Sequence, residues 1–143
     1  MGDDHRPRTR GWDEHFRTGL HDGPGIVYGN DLLQGEAMAT AVAMTSDIVR
    51  TLGYMVPPAF IHLCIDLVWM DWGRGMDRIT YLDDVILEHM HPANGKAELD
   101  AGHIECNSAE TVTADSVTYY DYRDNGGLRA DLEKLRTLIE EAA

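Results

Sequence analysis

The sequence predicts an α/β layer fold, in which short strands and helices alternate along the chain. Short runs of β-branched and aromatic residues indicate the strands, and apolar residues at three- and four-residue spacing indicate the helices. Clusters of glycine, proline and asparagine separate these segments. A chain of 143 residues suits one domain with a hydrophobic core, so we expect residues 1–143 to form a single domain.

The first half of the chain is predicted to alternate between helix and strand. Residues 12–21 carry apolar side chains at four-residue spacing, which is typical of an amphipathic helix. The apolar runs 26–28 and 37–44 are predicted to be strands. Residues 46–52 are predicted to form a second helix, because a hydroxyl residue suited to capping comes at its start and a glycine follows its end.

The second half is predicted to begin with a helix over 66–72 that two glycines end. Two short strands, 79–82 and 85–88, are expected next, with an acidic turn between them. The remainder is predicted to be helical with a break at residues 125–127. Leucines on one face of the last segment indicate that this helix packs against the core, whereas its acidic residues face solvent.

Composition limits the function classes. Twelve basic and 25 acidic residues give a net charge of −13, which argues against a general nucleic-acid binder. No apolar run approaches the ~20 residues that a membrane span needs, and no signal peptide is apparent. The two cysteines, Cys64 and Cys106, show neither metal-site spacing nor a disulfide framework, so we expect a cytoplasmic protein.

The opening residues combine metal-binding and phosphate-binding chemistry. Asp3, Asp4 and His5 offer two carboxylates and an imidazole, a set that suits a divalent cation such as Mn²⁺ or Mg²⁺. Arg6 and Arg8 follow at once, and arginines beside a cation suit a phosphate. The alternative is that this segment is a solvated tail.

Three further clusters of polar and aromatic residues interrupt apolar segments. The last of them lies at the end of a predicted strand, where alternate side chains face the same way, so its two histidines could point to one side. Each cluster also has a purely structural interpretation, as core packing, as a helix cap at Asp66, or as ordinary histidines. The clusters are Tyr28, Asn30 and Asp31; Asp66, Trp69, Asp71 and Trp72; and Glu88, His89 and His91.

Four motifs occur in order: GDDHRPRT at residues 2–9, YGNDLLQGE at 28–36, IHLCID with WMDWG at 61–73, and EHMHP at 88–92. Together they resemble nucleotide-sugar glycosyltransferases of the family 2 type, as found in bacteria and their phages. The resemblance covers most of the chain and implies the acceptor-side half of a GT-A fold, with a mixed sheet and flanking helices. It also implies metal-dependent, inverting transfer of a sugar from a nucleotide-sugar donor to an acceptor hydroxyl.

The resemblance assigns roles to the clusters. Asp3, Asp4 and His5 correspond to the metal-binding Asp-x-Asp motif, although this chain has histidine in the last place. His89 or His91 would complete the metal site. Asp66 is the best match to the catalytic base, and Asp71 is the second. Substrate contacts are expected from Trp69 and Trp72, which would flank the sugar, and from Tyr28, Asn30 and Asp31.

The chain also departs from the family pattern, because a nucleotide-binding half normally precedes the Asp-x-Asp motif. We therefore expect a fragment that is inactive alone and that works with a separate N-terminal half or as a homodimer. The alternative is a non-catalytic remnant or interaction module that retains the fold and a partial metal site. A third reading is a small metal-dependent hydrolase built on Asp3, His5, His89 and His91.

Overall fold

A computed structural model describes residues 4–143, so the predicted ligand Asp3 lies outside the described residues. Strands and helices alternate through the first two thirds of this part of the chain, and helices form the last third. The predicted α/β class is confirmed. The elements are β1 (His5–Pro7), α1 (Trp12–Gly19), β2 (Ile26–Asn30), β3 (Val42–Met44), α2 (Ser46–Leu52), α3 (Ile65–Met76), β4 (Ile79–His89), α4 (Ala101–Cys106), α5 (Ala109–Asp124) and α6 (Gly127–Ala142).

The four strands form one mixed sheet in the order β1-β4-β2-β3. Strand β2 runs parallel to β4, with Ile26 opposite Ile79, whereas β3 is antiparallel to β2. Strand β1 is antiparallel to β4 and pairs with its last residues, so that His5 lies opposite His89. The start of β1 and the ends of β2 and β4 therefore meet at one edge of the sheet, which is where side chains from distant parts of the sequence can converge.

Strand β4 is continuous over Ile79–His89, so the prediction of two strands with an acidic turn between them is wrong. The pairing with β2 passes from Leu82, opposite Gly29, directly to Ile86, opposite Asn30. Residues 83–85 therefore form an irregularity within the strand rather than a turn. Asn30 stabilises it, because its side-chain amide donates to the carbonyl and carboxylate of Asp83, both at 3.3 Å.

Helix α3 runs to Met76, although Gly73 and Gly75 were expected to end it. These glycines permit close packing instead. A Cβ atom at Gly73 would lie 2.7 Å from the side chain of Ile79, and one at Gly75 would lie 2.5 Å from that of Leu132. The expected strand over 37–44 is also shorter than predicted, because only its last three residues pair with β2.

The helices cover the sheet as their periodicity predicts. In α1, Trp12, Phe16 and the adjoining Leu20 pack with Val27 and neighbouring strand residues in one apolar cluster. The larger core lies among β2, α2, α3, α5 and α6, and the predicted leucine stripe of α6 is part of it. Within residues 4–143, no helix combines the length and the apolar character needed to cross a membrane.

A buried carboxylate ties the C-terminal helices to this core. Asp131 of α6 accepts hydrogen bonds from the hydroxyls of Tyr54 and Tyr122, each at 2.7 Å. The indole Nε1 of Trp72 donates to the Tyr122 hydroxyl at 2.7 Å. Because each group has a partner, the burial of these polar atoms is compensated, and the network fixes α6 against α3 and α5.

The approach of β2 to β4 gives a first testable prediction. A Cβ atom at Gly29 would lie 2.5 Å from the backbone carbonyl oxygen of Val85, which cannot move aside as a flexible side chain could. We expect Gly29→Ala to lower the free energy of unfolding by about 1–3 kcal/mol in urea titrations. Gly102→Ala, in the exposed α4, is the control: its Cβ atom would lie 3.3 Å from the exposed Asp100 side chain, which can shift as backbone cannot, so we expect a much smaller effect than that of Gly29→Ala. Equal unfolding midpoints for wild type and Gly29→Ala would contradict the close approach.

Candidate metal centre

The pairing of β1 with β4 creates a cluster of Asp4, His5 and His89. Asp4 directly precedes β1, and its carbonyl oxygen accepts a hydrogen bond from the backbone of Met90 at 2.9 Å. The rings of His5 and His89 stack with their centroids 4.2 Å apart. The Asp4 carboxylate bridges them, with Oδ1 3.0 Å from His5 Nδ1 and Oδ2 2.9 Å from His89 Nε2. Residues that are 85 positions apart in sequence thus share one carboxylate.

This cluster has the composition and spacing of a cation site. One potential ligand atom from each of Asp4, His5 and His89 lies within 4.8 Å of the others. Among residues 4–143, two buried side-chain nitrogens have no hydrogen-bond partner, and they are Nε2 of His5 and Nδ1 of His89. A set of one carboxylate and two imidazoles suits divalent transition metals, including Mn²⁺. The donor atoms therefore fit a metal ion chemically.

The electrostatics favour the protonation states that metal binding needs. Burial lowers the pKa of His5, which is 6% exposed, and the neighbouring His89 lowers it further, against the opposite effect of Asp4. Burial opposes ionisation of Asp4, but the adjacent His89 and His5 outweigh it and lower the Asp4 pKa. A neutral imidazole and an ionised carboxylate are the forms that bind cations.

Asp31 directly follows β2 and lies next to His89 of the cluster. Its side chain is 1% exposed. Oδ1 accepts hydrogen bonds from the backbone N–H groups of residues 33–35 at 2.7–2.9 Å, and Oδ2 accepts one from the Thr40 hydroxyl at 2.8 Å. Burial opposes its ionisation, but these donors lower its pKa. Oδ2 also lies 3.6 Å from His89 Nδ1. Asp31, predicted as a substrate contact, is thus enclosed by protein groups.

Asp66 is half-buried near the cluster, and its environment differs from that of the buried carboxylates. Cys64 occupies the cap position of α3 and Asp66 lies in the first turn, so the prediction that Asp66 caps the helix is wrong. Burial raises the pKa of Asp66 to about 6, with opposing contributions that include His89, which lowers it, and Asp31, which raises it. The carboxyl group of Asp66 is therefore electrostatically coupled to the metal-type cluster.

The alternative base, Asp71, has a different environment. It lies on the same helix, and its Oδ2 accepts a hydrogen bond from the hydroxyl of Tyr119 in α5 at 2.8 Å. Asp71 therefore links two helices. Of the two predicted bases, Asp66 is the one whose charge is coupled to the cluster.

The second predicted histidine, His91, extends the imidazole cluster. Its ring lies against that of His89, with centroids 5.0 Å apart, and against that of His103, 5.5 Å apart. Nδ1 of His91 accepts a hydrogen bond from the backbone of Ala93 at 3.1 Å and caps a short 3-10 turn. His91 therefore lies beside the three clustered ligands without being one of them. His103 was not predicted, because its helix position carries no motif.

The predicted phosphate-binding arginines are exposed, Arg6 within β1 and Arg8 directly after it. Arg8 Nε donates to Glu88 at 2.6 Å, and Lys96 Nζ approaches the other oxygen of the same carboxylate at 2.6 Å. These two cations share one anion, so the group has a net positive charge. Arg6 Nη1 donates to the carbonyl oxygen of His5 at 3.1 Å.

The two tryptophans differ in what they can contact. Trp72 is 0% exposed and its indole N–H is used by Tyr122, so it belongs to the core and offers no free face to a sugar in this structure. Trp69 is partly buried, and its Nε1 donates to the carbonyl oxygen of Met55 at 2.9 Å. Trp69 retains partial exposure next to the helix turn that bears Asp66.

The remaining predicted substrate contacts, Tyr28 and Asn30, make internal hydrogen bonds. Tyr28 is buried, and its hydroxyl donates to the carbonyl oxygen of Glu36 at 2.8 Å. Asn30 donates to Asp83, and its Oδ1 accepts from the backbone of Leu32 at 3.0 Å. These side chains hold the segment that follows β2, which is the segment that contains Asp31.

A second enclosed carboxylate, Asp115, positions the start of α3. It is 0% exposed and accepts hydrogen bonds from the backbone N–H groups of residues 61–63 at 2.6–2.8 Å. Burial opposes its ionisation, whereas these donors lower its pKa. The loop that it holds leads through Cys64, at a φ of 62°, directly to Asp66. Sequence reasoning missed Asp115, because the residues that it joins are more than fifty positions away.

Comparison of the chain with protein-family models, with curated proteins and with solved structures gives no significant match. The functional argument therefore depends on the chemistry of the cluster and its surroundings.

The raised pKa of Asp66 predicts a distinctive pH dependence of stability. The unfolded carboxyl group titrates near 3.8 and the folded one near 6, so the folded state binds more protons between these values and loses stability as pH rises through them. Asp66→Asn removes this loss. We expect the variant to exceed wild type in unfolding free energy at pH 7.5 by up to about 3 kcal/mol, and by little at pH 4, in urea titrations. An equal difference at both pH values would contradict the prediction.

The matched control for this experiment is Glu140→Gln, which replaces an exposed carboxylate of α6 by the corresponding amide. Because a solvent-exposed charge contributes little to stability, the unfolding free energy of this variant should follow that of wild type at both pH values.

Proposed function

We propose that the chain carries the metal-binding and proton-accepting part of a glycosyltransferase site. Asp4, His5 and His89 would hold a divalent cation, Mn²⁺ or Mg²⁺, and Asp66 would accept the proton of an acceptor hydroxyl. The substrate class is a nucleotide sugar. The observation that carries the proposal is the convergence of a carboxylate and two imidazoles at one sheet edge, with a carboxyl group of raised pKa coupled to them.

The donor atoms support a metal-dependent reaction. Two imidazole nitrogens in the set favour Mn²⁺ over Mg²⁺, which binds oxygen ligands almost exclusively. When bound, a divalent cation supplies Lewis-acid neutralisation of the charge that develops on a departing diphosphate. Arg8, Glu88 and Lys96 form a net positive group, but Glu88 directly precedes His89 in β4, so this group lies on the opposite face of the sheet and is not part of the cation site.

Asp66 has the properties of a general base. Transfer of the sugar forms a bond from the acceptor oxygen to the anomeric carbon, breaks the bond from that carbon to the diphosphate oxygen, and releases the hydroxyl proton. With a pKa near 6, Asp66 is ionised at neutral pH and is more basic than an ordinary aspartate. A single displacement of this kind inverts the anomeric configuration.

A second candidate function is a non-catalytic, metal-binding interaction module. The observation that favours it is that several predicted substrate contacts are engaged internally. Trp72 is fully buried, and Tyr28 and Asn30 make internal hydrogen bonds. Such a module would bind a cation at Asp4, His5 and His89 without recognising a nucleotide.

Calorimetry with Mn²⁺ and with uridine diphosphate tests both functions. The transferase proposal expects one Mn²⁺ per chain and diphosphate binding that requires Mn²⁺. His89→Gln should weaken Mn²⁺ binding at least tenfold, because it removes one ligand, whereas His15→Gln, on the exposed side of α1, should leave it unchanged. Mn²⁺ binding without any diphosphate binding would favour the module, and no Mn²⁺ binding would contradict both.

Turnover tests the role of Asp66. In an assay that supplies a nucleotide-binding half, release of uridine diphosphate from a nucleotide sugar should depend on Mn²⁺, and Asp66→Asn should lower its kcat by ~10²–10⁴-fold with little change in Mn²⁺ affinity. The dependence of kcat on pH should show a loss of rate as pH falls below about 6, because Asp66 is then protonated. Equal kcat values in wild type and Asp66→Asn would contradict its role as the base.

A further inference from the structure

Leu32 has a backbone conformation that its residue type disfavours. Within residues 4–143, the non-glycine residues with positive φ are Leu32 at 58°, Cys64 at 62° and Asp77 at 56°. An L side chain is crowded against the following carbonyl in this region, which short polar residues such as aspartate tolerate best. Asp77 is such a residue and ends α3, and Cys64 precedes α3 with its side chain packed against the core. Leu32 has neither explanation.

The turn that follows β2 does not need the leucine side chain. The backbone N–H of Leu32 donates to Oδ1 of Asn30 at 3.0 Å, and those of residues 33–35 donate to Oδ1 of Asp31 at 2.7–2.9 Å. A glycine at this position would keep all these bonds. The side chain of Leu32 is 46% exposed and belongs to neither apolar cluster. Leu32 thus combines backbone strain with exposed apolar surface, and such outliers concentrate at functional sites.

The position of Leu32 in the sheet connects it to the candidate metal centre. Strands β2 and β4 are parallel, and ligands of such sheets bind beyond the carboxyl ends of the strands. Leu32 is the second residue after β2, at that edge. The residue before it, Asp31, accepts a hydrogen bond from the backbone of His89 at 2.9 Å. The turn therefore holds an exposed leucine directly after the residue that adjoins the cluster.

We propose that Leu32 binds the ligand of the cation centre, by packing against the apolar face of a ring joined to the diphosphate. The inference rests on the proposed function, because the bound phosphates bring the ring to this edge of the sheet. The two rings of a nucleotide sugar, the nucleoside and the sugar, both offer carbon-bound surface to an aliphatic side chain. Burial of Leu32 against such a ring stabilises the complex, and the rigid turn limits the entropy lost on binding.

The variant Leu32→Gly removes the apolar contact and relieves the strain, because glycine adopts positive φ freely. We expect its unfolding midpoint in urea to equal or exceed that of wild type. Calorimetry at saturating Mn²⁺ then compares three probes: uridine diphosphate, a hexosyl diphosphate without a nucleoside, and methyl diphosphate without a ring. Affinity for a ring-bearing probe should fall about 5–10-fold, whereas affinity for methyl diphosphate should stay the same. A loss confined to uridine diphosphate assigns Leu32 to the nucleoside, and one confined to the hexosyl probe assigns it to the sugar.

Two further variants control for side-chain chemistry and for strain. Leu32→Met keeps a flexible apolar side chain and should retain most of the affinity for the ring-bearing probes. Asp77→Gly relieves the same kind of strain before the start of β4, at the opposite end of that strand from His89, and should change no affinity. Leu32→Asn tolerates positive φ and is polar, so it repeats the test if the glycine variant does not fold.

The inference is overturned if Leu32→Gly binds both ring-bearing probes as wild type does, or if its affinity for methyl diphosphate falls as far as that for the others. In the second case Leu32 would act on the cation centre and not on a ring. A wild-type protein that binds no diphosphate in the presence of Mn²⁺ contradicts the proposed function and this inference together. Wild-type binding that Leu32→Gly leaves unchanged contradicts the inference alone.

Discussion

The pairing of β1 with the end of β4 is the constraint on which the candidate site depends. Strand β1 is only three residues long, yet it places His5 opposite His89 and brings the Asp4 carboxylate onto both rings. Backbone hydrogen bonds from Met90 to Asp4 and from Arg8 to Ile86 hold it at both ends. Because β1 is a short edge strand with few hydrogen bonds, we expect it to open locally more easily than the other strands. A cation bound to residues of both β1 and β4 would stabilise their pairing.

The buried carboxylates of this acidic chain are compensated by hydrogen bonds, and Asp66 differs from them. Asp31 and Asp115 each accept three backbone hydrogen bonds, and Asp131 accepts hydrogen bonds from two tyrosine hydroxyls. Asp66 is half-buried, and this burial raises its pKa to about 6. A carboxyl group kept at an energetic disadvantage beside a polar cluster is typical of catalytic residues rather than structural ones.

Local patterns in the sequence predicted more of the fold than of the site. The helices α1 and α2 and the helical C-terminal third match their predicted positions, because periodicity and capping are local signals. The two glycines of α3 and the acidic residues of β4 misled prediction, since their role depends on Ile79, Leu132 and strand β2, which lie elsewhere in the sequence. Residue types indicated Asp4, His5 and His89, but the register that joins them is non-local, and nothing local marked Asp115 or His103.

The placement of Asp66 relative to the cluster is set by helix packing as well as by the sheet. The metal-type cluster lies where β1 begins and β4 ends, whereas Asp66 lies on α3, whose first turn follows a loop held by Asp115 of α5. A helix N-terminus favours a carboxylate, yet burial outweighs that effect here and raises the pKa. The raised pKa of Asp66 and the position of Asp66 thus have different causes. Burial raises the pKa, whereas the hydrogen bonds from residues 61–63 to Asp115 fix the position. A displacement of α5 would therefore move Asp66 away from the cluster of Asp4, His5 and His89 without disturbing the cluster itself.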